Sequence, residues 1–184
     1  GGIGKTSLAD PLARQLTAET RFAGFGWVSA QRTFMDYGGA IQSVERPALT
    51  VEALVARLLG QLTEDDPLAA TLSSEQQLAA LEERLKEQPH LIVIDNLETV
   101  VDVTELVPTL RQLMGPSKFL LTSRRSIYPQ PHLHRMAVPP LNRSDALQLV
   151  RQTAEQAGLS QLQSAAEETL YPIYDTAGGT PLAR

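Results

Sequence analysis

Gly4-Lys5-Thr6, close to the start of the sequence, is a triplet whose residue types suit phosphate chemistry. In the pattern G-x-x-x-x-G-K-[ST], glycines let backbone N–H groups curl around phosphates. The Lys reaches the outer phosphates and the hydroxyl ligates Mg²⁺. Gly4, Lys5 and Thr6 fill the last three places. The first Gly would fall two residues before Gly1, so the expectation is a phosphate loop whose first half, with its strand, precedes this sequence. A glycine-rich helix start with no ligand is the competing reading. Against it, Ser7 is followed by Leu8, Ala9, Leu12, Ala13 and Leu16 at helical spacing, which predicts a helix packed on a sheet. The N-terminus of such a helix adds partial positive charge where the phosphates would lie.

A second group of residues could complete such a site. Leu91-Ile92-Val93-Ile94 is the densest apolar run and is closed by Asp95; four consecutive apolar residues predict a strand covered on both faces. One carboxylate at a strand tip can hold Mg²⁺, directly or through water, while Thr6 ligates from the other side. Hydrolysis would also need a carboxylate to orient or activate water. Asn96 follows Asp95, and its amide cannot accept a proton, which leaves Glu98 as the candidate. Lys118 to Ser123 reads as the neighbouring strand. It delivers Thr122, Ser123 and Arg124 to the edge where parallel strands bind ligands, and the Arg124 fork matches a γ-phosphate. His132 and His134 lack the further ligands that a metal site needs and read as a loop pair.

These residues require elements to hold them. Alternating helix and strand signals predict an α/β fold with a parallel sheet. Gly24 to Ala30 reads as a strand with Trp27 in the core. Residues 31–49 give mixed signals, with Gly38-Gly39 and Pro47 marking a loop. Thr50 caps a predicted helix carrying Val51, Leu54, Val55, Leu58, Leu59 and Leu62. Ser73-x-x-Gln76 has capping-box form ahead of Leu78, Leu81 and Leu85. A helix is predicted from about Thr104 to Met114, and a short strand from His134 to Val138. Beyond Pro140, Asn142 caps a helix. A second runs from roughly Gln161 to Thr176 with a kink or break at Pro172, and Thr180-Pro181 opens a third. The expected domains are 1–140, binding nucleotide, and 141–184, the beginning of a helical domain.

Bulk properties set outer limits. With 184 residues, 42% hydrophobic and 20% charged, the chain suits one globular domain or one plus part of another. No apolar run approaches the length of a membrane span. The absence of cysteine removes disulfides and thiolate metal sites, and fits a reducing cytoplasm. The net charge of −5, from 16 basic and 21 acidic residues, disfavours a basic face for nucleic acid.

Taken with Phe119 to Arg124, Gly178-Gly179-Thr180-Pro181-Leu182-Ala183 and the segment Pro140 to Leu149, these motifs resemble the NB-ARC type of STAND signalling ATPase, a branch of the AAA+-like P-loop NTPases. They span nearly the whole chain in that family's order and look like the bacterial multi-domain regulators. The resemblance implies a P-loop NTPase three-layer sandwich, its first strand missing, followed by the start of a small helical domain. It implies that Lys5 and Thr6 hold phosphate and Mg²⁺, with Gly2, Ile3, Gly4 and Ser7 completing the cradle. Asp95 becomes the Mg²⁺-side acid, Arg124 the γ-phosphate sensor, and Pro181 a contact to adenine. ADP would hold a closed monomer and ATP an open, oligomerising form, with sensor and effector domains outside this segment. Asn96 stands where the family pattern has a second acid, which implies hydrolysis that is slow or absent. Three functions stay open: a nucleotide-dependent switch with Glu98, Asp95 and Arg124 at its catalytic centre, a scaffold whose nucleotide is structural, and a DNA-linked AAA+ ATPase.

Overall fold

The computed structural model of the chain describes residues 3–19, 21–29, 33–35, 41–43, 49–64, 66–97, 103–124 and 133–181. Among them the protein is mixed α/β, with seven α-helices, a three-stranded parallel sheet and a two-stranded antiparallel one. In chain order these are α1 (Lys5–Ala18), β1 (Gly24–Ser29), β2 (Thr33–Met35), β3 (Ile41–Ser43), α2 (Val51–Leu62), α3 (Ser74–Glu87), β4 (His90–Asp95), α4 (Val103–Leu113), β5 (Lys118–Leu121), α5 (Arg143–Gln156), α6 (Ser160–Gln163) and α7 (Glu167–Ala177). None of these helices is long and apolar enough to cross a membrane. Contacts divide the chain into two units, Thr6–Ser126 on one hand and Gly1–Lys5 with Ile127–Arg184 on the other.

In the first unit β4 is the central strand, in the order β1-β4-β5, and it is buried along its whole length. The apolar run Leu91 to Ile94 requires this, because both of its faces must leave water. Successive side chains alternate between faces. Leu91 and Val93 meet Ala9 and Ala13 of α1, with Leu16, Phe22, Trp27 and Leu120 packed around them; the two alanines let the helix approach closely. On the opposite face Gly26 leaves room for Leu58 of α2 beside Ile92. Helices therefore cover both faces of the small sheet. Helix α2 turns Leu54, Val55, Leu58, Leu59 and Leu62 inward, a full apolar stripe, and α3 packs on it.

The helix starts form where their capping residues stand. Thr50 Oγ1 accepts from Ala53 N at 3.2 Å. Ser73 and Gln76 make both bonds of the capping box, at 3.3 and 2.9 Å. Trp27 is half-buried at the margin of the core, and the Gln61 amide bonds both its backbone N–H and its carbonyl at 2.9 Å. The side chain thus occupies part of the edge that β1 would otherwise leave open.

Within residues 31–49, where the sequence gives mixed signals, β2 and β3 pair antiparallel with Phe34 opposite Gln42; Gly38 and Gly39 lie outside the described residues. Two expectations need correction. No strand forms at 133–140. His134 to Ala137 are all exposed, so neither face of this segment would be buried by pairing, and Pro139 and Pro140 have no N–H to donate. The long helix expected across Gln161 to Thr176 is two helices, and the break lies at 164–166 rather than at Pro172. Ser164 closes α6 by bonding Ser160 O through both its N–H and its hydroxyl, and Arg151 donates to Ala165 O at 3.2 Å. Pro172 is accommodated at the middle of α7, where the carbonyl it leaves without an amide partner belongs to the exposed Glu168.

The second unit packs α5 and α7 through Ala146, Leu147, Ala154 and Leu170. Asn142 caps α5 by accepting from Asp145 N at 2.9 Å. Helix α7 ends at Gly178 and Gly179, both left-handed at φ 59° and 69°. They differ in surroundings. A Cβ on Gly178 would meet nothing within 4 Å, whereas one on Gly179 would lie 2.2 Å from Leu141 O, next to the Leu141 N to Gly179 O bond of 2.9 Å. Gly178→Ala should therefore carry only the left-handed backbone cost of about 1–2 kcal/mol. Gly179→Ala adds a backbone clash and should cost about 1–3 kcal/mol more. Urea unfolding of the two variants measures the difference, and equal midpoints would contradict this account of the α7 end.

Candidate functional site

Asp95 is the last residue of β4, at the edge where the parallel strands end, and is only 3% exposed. A carboxylate this deeply buried needs hydrogen-bond donors to offset lost hydration. It has two. Thr6 Oγ1 donates to Asp95 Oδ1 at 2.7 Å and Thr122 Oγ1 donates to the same oxygen at 2.5 Å. The three residues come from three elements: the first turn of α1, the tip of β4 and the position just beyond β5.

The β4–β5 register accounts for Thr122. Ile94 pairs with Leu121, so the next residues, Asp95 and Thr122, stand opposite one another. The Thr122 backbone continues the junction, its N–H donating to Ile94 O at 3.0 Å and its carbonyl accepting from Leu97 N at 2.9 Å. Its hydroxyl also accepts from Asn96 N at 3.0 Å. Asn96 itself is left-handed, at φ 70°, a conformation that Asn tolerates better than most residues. Thr122 entered the sequence reading only as a neighbour of Arg124. Its place on Asp95 depends on strand register, which no local pattern displays.

The other expected residues are distributed as follows. Gly4 precedes α1 with φ 87°, a value that favours glycine. Ile3, Gly4 and Lys5 are half-buried, Thr6 and Ser7 exposed. The first turn of α1 contains no acidic residue, so no carboxylate of its own competes for the N–H groups that a helix start leaves unbonded. Arg124 is exposed, two residues beyond Thr122. Gly2 and Glu98 lie outside the described residues. In the second unit Pro181 is half-buried, 3.6 Å from where a Cβ on Gly4 would stand. It lines an apolar groove of about 330 Å³ with Leu141, Leu147, Tyr174 and Ala177.

The donor set can be tested for its fit to Mg²⁺. It is oxygen only, one hydroxyl and one carboxylate, as a hard cation prefers. The Thr6 hydroxyl and the Asp95 carboxylate are in direct hydrogen-bond contact, so a cation held beside Thr6 would have the carboxylate within reach, directly or through water. Thr6 gives its hydrogen to Asp95 and keeps oxygen lone pairs for a metal. No group of three or more acidic or histidine side chains forms a cage among the described residues. The residues fit the group. Comparison of the chain with models of known protein families and with curated proteins gives no match.

Asp95→Ala would leave the buried Thr122 hydroxyl without its carboxylate acceptor. Unfolding stability at neutral pH should fall by about 1–3 kcal/mol, and Asp95→Asn, which retains an acceptor oxygen, should lose less. Chemical denaturation of both checks this; an alanine variant as stable as the parent would show that the two hydroxyl bonds contribute nothing.

Proposed function

We propose that this protein binds an adenine nucleotide with Mg²⁺ in a P-loop NTPase fold, and serves as the regulatory switch module of an NB-ARC-type STAND ATPase. The observation that carries this reading is the direct Thr6–Asp95 hydrogen bond across 89 residues of chain. It joins the hydroxyl and the acid that the phosphate-loop pattern assigns to the Mg²⁺ side. The helix behind Thr6, free of acids in its first turn, and the central parallel strand ending in Asp95 support the same reading.

In this reading the backbone of Gly2, Ile3 and Gly4 and the start of α1 receive the phosphates, with Ser7 in the same turn. Lys5 neutralises the outer phosphates and Thr6 and Asp95 hold Mg²⁺. When bound, the metal offsets phosphate charge and fixes the orientation of the terminal groups. Arg124 reports the γ-phosphate and Pro181 contacts adenine. Asn96 can hydrogen-bond water but cannot take its proton, so any hydrolysis is slow and depends on Glu98. Output then follows exchange: ADP favours a closed state and ATP an open one that self-associates, which requires that the two states bind the two nucleotides with different affinity. The setting is the cytoplasm, with signal and effector functions carried by other domains.

Asn96 also favours a second reading, an interaction scaffold whose nucleotide is bound but never turned over. The two separate on turnover. Phosphate release that disappears in Glu98→Gln supports the switch with slow hydrolysis, and no release in either protein supports the scaffold.

The binding claim is tested by identifying the nucleotide retained by the intact protein and by titrating ADP and ATP calorimetrically. Lys5→Ala removes one charged hydrogen-bond donor, worth ~1.5–3 kcal/mol, and should weaken both affinities by about 10- to 100-fold. Affinities unchanged by Lys5→Ala, or no binding by the parent, would remove the proposal.

A further inference from the structure

We infer that Thr122 is a positioning residue for the metal-binding carboxylate: its hydroxyl sets the Asp95 side chain so that Mg²⁺ can be held beside Thr6. This rests on the nucleotide reading of the same site. Strand structure alone does not explain the hydroxyl. The Thr122 backbone already makes its bonds to Ile94 O and Leu97 N. A valine of the same shape would suit a buried strand end at least as well, yet a 7% exposed position carries a hydroxyl. Both bonds of that hydroxyl point to the site, one donated to Asp95 Oδ1 and one accepted from Asn96 N.

A carboxylate oxygen has two lone-pair directions, and on Oδ1 both are used, by Thr6 and Thr122. Metal-side bonding, to the ion or to its water, therefore falls to Oδ2. The terminal torsion of Asp is broad and roughly two-fold, so one donor on one oxygen restrains it poorly and a second fixes it. By accepting from Asn96 N, the same hydroxyl ties the carboxylate to the left-handed residue that follows it. A nucleotide bound without metal uses the phosphate loop alone and does not need this restraint.

The test compares Thr122→Val, which deletes the hydroxyl, with Thr122→Ser, which keeps it, in protein shown by thermal unfolding to be folded. ADP affinity is measured in Mg²⁺ and in EDTA. The expected result is an Mg²⁺-to-EDTA affinity ratio about tenfold lower in Thr122→Val, as for other groups that orient a metal ligand. The EDTA value should be unchanged, and Thr122→Ser should restore the ratio. In nucleotide-free protein, exchange of the Asn96 amide should accelerate in Thr122→Val and not in Thr122→Ser. A parental ratio in Thr122→Val overturns the inference, as do equal losses in Mg²⁺ and EDTA, which signal general distortion, or unaltered Asn96 exchange. In each of those cases ADP binding by the parent leaves the nucleotide reading standing. A parent that binds no ADP in either condition removes both.

Discussion

A carboxylate without water must be surrounded by donors, and at Asp95 this requirement organises the larger unit. The acid sits at the end of β4, which is buried along its whole length, where its hydration is lost. Its two hydroxyl donors come from residues 89 positions before it and 27 after it. The first needs α1 seated against β4, and the second needs β5 paired to β4. The cost of burying a polar group without partners, about 1–3 kcal/mol on mutational scales, makes the arrangement cooperative. Misplacing α1 or β5 leaves the buried carboxylate short of one donor.

The sheet and its helices supply the accuracy this contact needs. Ala9 and Ala13 bring α1 onto Leu91 and Val93, and their small size brings the helix close. That approach directs the N-terminal turn, with Thr6, to the strand tip. Pairing of Leu91 with Lys118 through Ile94 with Leu121 fixes β5 against β4, and a shift by one residue would move Thr122 away from Asp95 and turn its side chain to the other face. The apolar core and the polar site are thus one constraint seen from two sides. Core packing sets the register, and the register sets the site.

The second unit depends on backbone geometry at its helix ends. Arg143, the first residue of α5, stacks over Tyr171 and Tyr174 of α7 at 4.8 and 5.4 Å, and Arg151 ties the α6–α7 break to α5. Gly179 allows the chain leaving α7 to pass against Leu141, which no residue with a Cβ could do in that conformation.

Much of this is legible in the sequence. Periodicity and capping residues located α2, α3 and α5, and four apolar residues in a row identified β4 as central, because these signals act over one or two turns of chain. The Gly4-Lys5-Thr6 triplet and Asp95 were visible as residue types in a pattern. The two-stranded hairpin, the position of the break before α7 and the absence of a strand at 133–140 were not, since each depends on what a segment finds to pack or pair against. Thr122 illustrates the limit most directly. As a letter it is one of several hydroxyl residues near a strand end. It becomes the second donor to Asp95 only through the β4–β5 register. Residue chemistry and local spacing are properties of the chain and were set by the sequence alone; hydrogen bonds spanning 27 and 89 residues were decided only in the tertiary structure, because the shared burial of the sheet brings those residues within reach.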